Sequence, residues 1–348
     1  LQAGSGRFEL ESGRLKSTAL EVTFGGAKVK LAGSVVEPHA LAGLDLKVAV
    51  QGQELAELSK FFGRSIAPVG PYQAQARIGG SFSALNISGL DASAGRAAQN
   101  VRVRGQIDDA NNRRGVQLAL NAKLTDTVAA GRLFGIDLPR LPAAKVSTKF
   151  SVLDRNYVFD DVQLVLGRTS VSGRISLLPG EPRPRVNASL SGALVDLSEL
   201  PFSTDARGGS SPLPAADIDA DLKFDRVVLG KGQVLNAVNG NLRLMAGAIE
   251  LKQFGAAVVG ASITLDGTIK DPVALAGIDL KFGASLTRGN GLAALTGMPM
   301  DGLPPFTANG KLTDVPDGYA FTNFTVASKA ATVTGSGTLI SGPKRYKI

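Results

Sequence analysis

The sequence predicts an all-β, mainly antiparallel protein, and three observations carry that prediction. Apolar and polar residues alternate with a period of two in many short segments, glycine is abundant at 42 of 348 residues, and one strand-turn-strand motif recurs along the whole chain. The motif is clearest at 162–177. There Val162, Leu164 and Leu166 share a face, Gly167 to Ser170 reverse the chain, and Val171, Ile175 and Leu177 return an apolar face while Ser172, Arg174 and Ser176 point away.

Second arms of the same kind occur at Leu31-Ala-Gly33-Ser-Val35, Val103-Arg-Gly105-Gln-Ile107, Val171-Ser-Gly173-Arg-Ile175, Leu265-Asp-Gly267-Thr-Ile269 and Val333-Thr-Gly335-Ser-Gly337. Their central glycines lie 72, 68, 94 and 68 residues apart, so a unit of about seventy residues holds several strands. The long step contains the Ser/Gly/Pro tract 203–214, expected to be a flexible loop.

Taken in order, the chain divides into the end of a truncated repeat (1–43), repeats at 44–110 and 111–180, a longer repeat at 181–274, and a repeat truncated at its C-terminus (275–348). All are expected to form one continuous elongated body. Phe8, Leu10 and Leu15 lead into Leu20-Glu-Val-Thr-Phe24, and Leu44-Asp-Leu-Lys-Val-Ala-Val50 alternates strictly. Alternation continues at 116–122, 146–152, 218–224, 241–245 and 278–282, for on the order of 20 strands. Short helices are expected at 53–63, 127–135, 195–200 and 290–297, where apolar residues fall at helical spacing. Proline-bearing stretches such as Ala67-Pro-Val-Gly-Pro71, Leu138-Pro-Arg-Leu-Pro142 and Leu303-Pro-Pro305 then return the chain to extended conformation.

Such a sheet has an apolar face that something must cover. Four helices of roughly ten residues, about 15 Å each, cannot cover 20 strands spaced at about 4.8 Å. The alternatives are a closed barrel, stacked sandwiches, or a curled sheet whose apolar lining meets a ligand. Aromatics, at 5%, are too few for the girdles of a membrane barrel, and only one linker is visible between candidate sandwich domains. A long curled sheet forming an open hydrophobic groove is therefore expected. The recurring glycine fits either close approach of backbone or ligand at the bend, or a simple bulge. The expected lining is Leu46, Val48, Val50, Leu118, Leu120, Val146, Phe150, Leu164, Leu166, Leu222, Phe224, Leu242, Leu244, Ile263, Leu265, Ile278, Leu280 and Phe282. Glutamate at Leu166 or Leu280 is expected to block loading of a ligand with modest loss of folding.

The remaining composition excludes more than it suggests. Without cysteine there are no disulfides and no thiolate metal sites. No run approaches the ~20 apolar residues of a membrane-spanning helix, so a membrane anchor is expected outside this segment. The net charge of +8 comes from bases spread along polar strand faces, among them Lys28, Lys30, Arg102, Arg104, Lys145, Lys149 and Lys281, without interleaved aromatics. Nucleic acid is not an expected partner. The sole histidine, His39, lies in a Glu-Pro-His-Ala turn, and Asp217, Asp219, Asp221 and Asp225 lie on one polar face without EF-hand spacing. Asp160 and Asp161 point to opposite faces if extended. No enzyme, cofactor or metal is expected.

With the repeat laid out, the chain resembles the bacterial AsmA-like family. The resemblance rests on Ala215-Ala-Asp-Ile-Asp-Ala-Asp-Leu-Lys-Phe-Asp-Arg-Val-Val-Leu229, the arm Val234 to Leu244, Gly247-Ala-Ile-Glu-Leu251 and Ile263-Thr-Leu-Asp-Gly267. It also includes the Asp-Leu-Ser-Glu-Leu segment at 196–200 and the Leu303-Pro-Pro-Phe306 re-entry, and departs from the family at Phe254–Gly260. It implies a bridge-like lipid-transfer protein of the Gram-negative envelope, periplasmic and tethered to the inner membrane. Such a protein carries phospholipid or a related lipid toward the outer membrane, with possible envelope protein partners. The competing expectation is a structural or adhesive repetitive β-protein that buries its apolar face completely and binds partners without lipid.

Overall fold

The computed structural model describes residues 3–59, 66, 68–128, 140–199, 216–229, 233–272, 274–287, 304–316 and 318–340. They fall into two compact units, Leu1–Gly167 and Arg168–Ile348. The division lies within the segment 111–180 that the sequence marks as one repeat. The loop expected at 203–214, the helix expected at 290–297, and residues 60–63, 129–135 and 200 of the other expected helices lie outside the described residues.

Among the described residues the first unit holds ten strands: β1 (Ala3–Glu11), β2 (Arg14–Phe24), β3 (Ala27–Glu37), β4 (Ala42–Gly52), β5 (Tyr72–Ser81), β6 (Ala84–Arg96), β7 (Gln99–Ile107), β8 (Gln117–Leu124), β9 (Ala144–Leu153) and β10 (Asn156–Leu166). Each pairs antiparallel with the next. The second unit holds β11 (Thr169–Leu178), β12 (Arg185–Asp196), β13 (Asp217–Val228), β14 (Val234–Met245), β15 (Ala248–Val258), β16 (Ala261–Asp271), β17 (Ala276–Leu286), β18 (Phe306–Val315), β19 (Gly318–Ser328) and β20 (Thr332–Ile340). These too pair in chain order, antiparallel except for β12 and β13, which run parallel. The chain leaves β12 at Asp196 and re-enters beside Arg185, a return that no hairpin signal in the sequence announces.

Among the described residues, strands touch extensively only their ladder neighbours. Within the same residues β1 pairs with β2 alone and β20 with β19 alone, which leaves both sheets open. Among the described residues the ladder does not close into a barrel, and the partial exposure of most apolar-face side chains does not fit a sandwich core. An open antiparallel sheet with one apolar face remains, and ten strands at about 4.8 Å spacing extend each unit roughly 43 Å across its strands.

The recurring glycine is explained by the neighbouring backbone. Gly33, Gly105, Gly173 and Gly267 have φ of 142°, 149°, 155° and 137°, and a Cβ on them would stand 1.9–2.1 Å from a main-chain oxygen of the next strand. Each faces a carbonyl that only a residue without a side chain can approach. Gly335, the fifth marker, does not share this conformation; Gly240 at φ 141° does. In the preceding arms the ladder is bulged, with Gly89, Asp161, Gln253 and Asn323 at φ of 48–59° at or beside the slips. A bulge adds twist and bend to its strand, so bulges repeated about every seventy residues curl the sheet.

Among the described residues, two of the expected helices show the 3-10 turns Leu55–Leu58 and Leu197–Glu199, and Thr127–Val128 begin another helical turn. At the first turn the returning chain is hydrogen-bonded to side chains that flank the turn. Glu54 Oε1 accepts from the backbone N–H groups of Ala56 (3.3 Å), Val69 (2.9 Å) and Gly70 (3.1 Å), while Ser59 Oγ donates to Ala56 O and accepts from Ile66 N. Burial raises the Glu54 pKa, but the N–H donors of Gly70, Val69 and Ala56 outweigh it and hold the carboxyl below its ordinary range.

A second latch closes the β12 end. Asp196, fully buried, receives Ser198 Oγ (2.5 Å) and N (3.0 Å) on Oδ1 and the Arg168 guanidinium on Oδ2. Glu199 accepts from the backbone N–H of Arg168 at 2.9 and 3.0 Å. A third is Asp314, whose carboxylate accepts from Gly277 N (3.0 Å) and Ile278 N (2.7 Å) and so joins β18 to the start of β17. The Gly277 N–H lowers the Asp314 pKa most, burial opposes it, and the Ile278 N–H adds to the lowering. A depressed carboxyl contributes stability above its unfolded pKa and loses it as pH falls through the folded value. Asp314→Ala should therefore melt below the parent at neutral pH and converge with it on acidification below the ordinary Asp range. A difference in melting temperature that stays constant with pH would rule the latch out.

Candidate functional site

All eighteen residues expected to line a groove lie on the apolar face of their unit, nine in each. In the first unit the ladder sets Val22, Val29, Val50, Ala74, Ala92, Val103 and Leu120 directly opposite one another on successive strands, β2 to β8. A parallel row runs Tyr72, Ala94, Val101, Ala122, Val146 and Leu164 across β5 to β10. Leu118 stands opposite Phe150, which faces Phe159 with ring centroids 5.1 Å apart. Leu46 lies between Gly33 and Ile78, and Val48 between Leu31 and Ala76.

In the second unit one row crosses all ten strands: Ile175, Ala188, Ala220, Leu242, Leu251, Gly267, Leu280, Leu312, Phe321 and Gly337. Beside it run Leu177, Val186, Ile218, Leu244, Ile249, Ile269 and Ile278. No position in either row is polar. Phe282 stands beside Leu265 and meets Phe321 edge-on at 6.2 Å, while Ile263 faces Ala256 and Ala284.

The burial of these side chains identifies the surface. Of the eighteen, Leu166, Phe224, Leu244, Ile278 and Leu280 are buried, and the other thirteen are partly exposed. Two tight clusters form where the curl brings neighbours together, one around Val195, Phe224, Val227 and Val238, the other around Leu251, Ile278 and Leu280. Elsewhere each aliphatic group is shielded sideways by its cross-strand partners and left open above. Among the described residues this face is left open as a contiguous apolar surface of the kind that marks an interaction site.

Burial also changes which substitution probes the groove. Leu166 and Leu280 are only 4% and 6% exposed, so a glutamate there would bury a charge and unfold the sheet instead of testing the open surface. Partly exposed Leu120 and Leu242 are the informative positions.

The opposite face is ionic. Lys30 pairs with Glu21 (2.8 Å), Arg77 with Asp45 (2.6 Å), Arg102 with Asp91 (2.6 Å), Lys149 with Asp161 (2.7 Å), and Arg243 with Asp219 (2.8 Å). Asp219 also receives Asn241 Nδ2 at 2.7 Å. The aspartate run at 217–225 is thus tied into the polar face, and exposed pairs of this kind contribute about 0–1 kcal/mol each. His39 is exposed in its turn.

Sequence reasoning missed Ile249, Leu251 and Phe254, which lie in the centre of the apolar face. Gln253, at φ 48°, inserts a bulge that shifts the alternation by one residue, so no single period runs through β15. It also missed Leu312 and Phe321, whose strands alternate less cleanly. Among the described residues no helix is long and apolar enough to cross a membrane. The chain matches no family model, no curated protein and no solved structure.

Proposed function

We propose that the protein is a lipid-transfer protein of the AsmA-like kind, periplasmic in a Gram-negative envelope and tethered to the inner membrane. Phospholipid or a related lipid moves along the apolar face while its head group stays in water, and the route leads between inner and outer membranes. The observation that carries this reading is the unbroken apolar register: ten strands of the second unit contribute one row without a polar residue, and nothing among the described residues covers it. The physical work is desolvation. A methylene moved into water costs about 0.8 kcal/mol, so a 16-carbon chain faces roughly 13 kcal/mol unaided, most of which an aliphatic lining removes. No bond is made or broken, and no cofactor takes part.

Native mass spectrometry of the protein purified from an envelope fraction should show co-purified lipid, and delipidated protein should bind a hydrophobic dye strongly. A protein that purifies free of lipid and leaves the dye dark would favour the structural or adhesive reading instead.

A further inference from the structure

The segments 37–47 and 271–281 are one turn written twice. Both read acid-Pro-x-Ala-Leu-Ala-Gly, then Leu or Ile, then Asp-Leu-Lys, and in both the leucine stands eight residues after a marker glycine, Gly33 or Gly267. Leu41 and Leu275 share a left-handed backbone, at φ of 47° and 52°, and a Cβ on Gly43 or Gly277 would stand 2.6 Å from the Cβ of Val36 or Lys270. Both leucines are exposed, at 47% and 51%. Among the described residues they are the only large apolar side chains held at positive φ. A bulky residue is strained there where glycine or asparagine is not, so each turn holds its leucine outward against both strain and water.

Neighbouring turns repeat the exposure. Because successive strands of the first unit run antiparallel, the β1–β2, β3–β4, β5–β6 and β9–β10 turns lie at one end of it, where Leu10, Leu41, Phe82 and Leu153 are exposed. In the second unit the β11–β12, β14–β15 and β16–β17 turns share an end and expose Leu178, Met245 and Leu275. The Phe82 N–H donates to Leu41 O (3.1 Å) and the Phe82 carbonyl accepts from Asn111 Nδ2 (2.9 Å), which ties three adjacent turns together. Leu275 is braced by the Asp314 carboxylate on the N–H groups of Gly277 and Ile278. These apolar tips are fixed before any partner arrives.

We infer that each row of tips inserts into the interfacial layer of a phospholipid bilayer, a contact separate from the apolar groove. The spacing decides the partner. Adjacent tips lie two strand spacings, about 10 Å, apart. Polar or small residues, Ser12, Gly13 and Ser83 among them, stand between the apolar side chains. A folded partner or a second copy needs a contiguous packed patch, which isolated tips do not offer, whereas a fluid acyl boundary accepts each side chain by itself. The same turns carry both signs of charge, Glu11, Glu37 and Asp154 beside Arg14 and Arg155, so the contact should depend neither on anionic lipid nor on low salt.

The chain has no tryptophan, so Phe82→Trp and Leu275→Trp each place a single reporter in one row. With vesicles of neutral phosphatidylcholine, each reporter should shift its emission to the blue and lose at least half of it to brominated acyl chains. Gln75→Trp, on the polar face, should do neither. Leu41→Asn/Leu275→Asn should float with the vesicles at least five-fold less than the parent yet melt no lower, because asparagine relieves the left-handed turn. Unquenched reporters, or equal flotation of the asparagine variant, would overturn the inference. Self-association of the parent that the asparagine variant abolishes, without flotation, would assign the tips to a second copy and overturn it as well. Lipid co-purified with the asparagine variant should match the parent, and adding Leu120→Glu should leave the Phe82→Trp reporter quenched, so the tips and the groove fail separately.

Discussion

Leu120→Glu is expected to lower the lipid that co-purifies with the protein by at least ten-fold while leaving the sheet folded. Leu120 ends the row Val22 to Leu120 and is partly exposed, so its side chain helps to line the open face without being locked in a cluster. A carboxylate there can remain hydrated in the empty protein, which limits the loss of stability to about 1–2 kcal/mol. Against an acyl chain the same carboxylate must lose its water, a penalty of several kcal/mol that a passing lipid cannot offset. Leu242→Glu makes the same test in the second unit. Leu280→Glu is the contrast: its site is closed, and it should fail to fold cooperatively. Mass spectrometry of bound lipid together with thermal melting separates these outcomes. Undiminished lipid in folded Leu120→Glu and Leu242→Glu proteins would end the groove reading.

Gly267→Val is expected to destabilise the second unit by about 3–5 kcal/mol, a large share of an ordinary domain's stability. Gly267 has φ of 137°, and a Cβ would stand 2.1 Å from the carbonyl oxygen of Asp279. That oxygen belongs to the adjacent strand backbone, which cannot move without breaking the β16–β17 ladder. Gly337→Ala is the control, since it has open space around it and no left-handed backbone. It should change the melting temperature little. If Gly267→Val melts like the parent, the recurring glycine is not a pinch between strands, and the curl has another cause.

Much of this architecture was legible in the sequence, because a strand writes its two faces directly into its residue order. Leu44 to Val50 and Ile278 to Phe282 were assigned to strands and to one face by alternation alone, and β4 and β17 place them so. Where backbone geometry breaks the period, legibility failed. The bulge at Gln253 hid Ile249, Leu251 and Phe254 from a period-two reading, although they lie at the centre of the apolar surface. The helical spacing of Leu55 and Leu58 is met by the turn Leu55–Leu58, and residues 60–63 of the expected helix lie outside the described residues. Glu54 accepts from Val69 and Gly70 N–H and Ser59 Oγ from Ile66 N–H, contacts between residues distant in sequence that no spacing along the chain announces.

The sequence by itself determined that the protein is all-β, that its strands have one greasy and one polar side, and that a glycine recurs in the second arms of its hairpins. Alternation specifies which side of a strand a residue occupies, and that property is local. Only the tertiary structure decided which strands are neighbours, that β12 and β13 run parallel, and that Leu166 and Leu280 are closed off while Leu120 and Leu242 stay open. Burial depends on what lies across the ladder and on how sharply the bulges curl it, and neither is written in the spacing of residues along one strand.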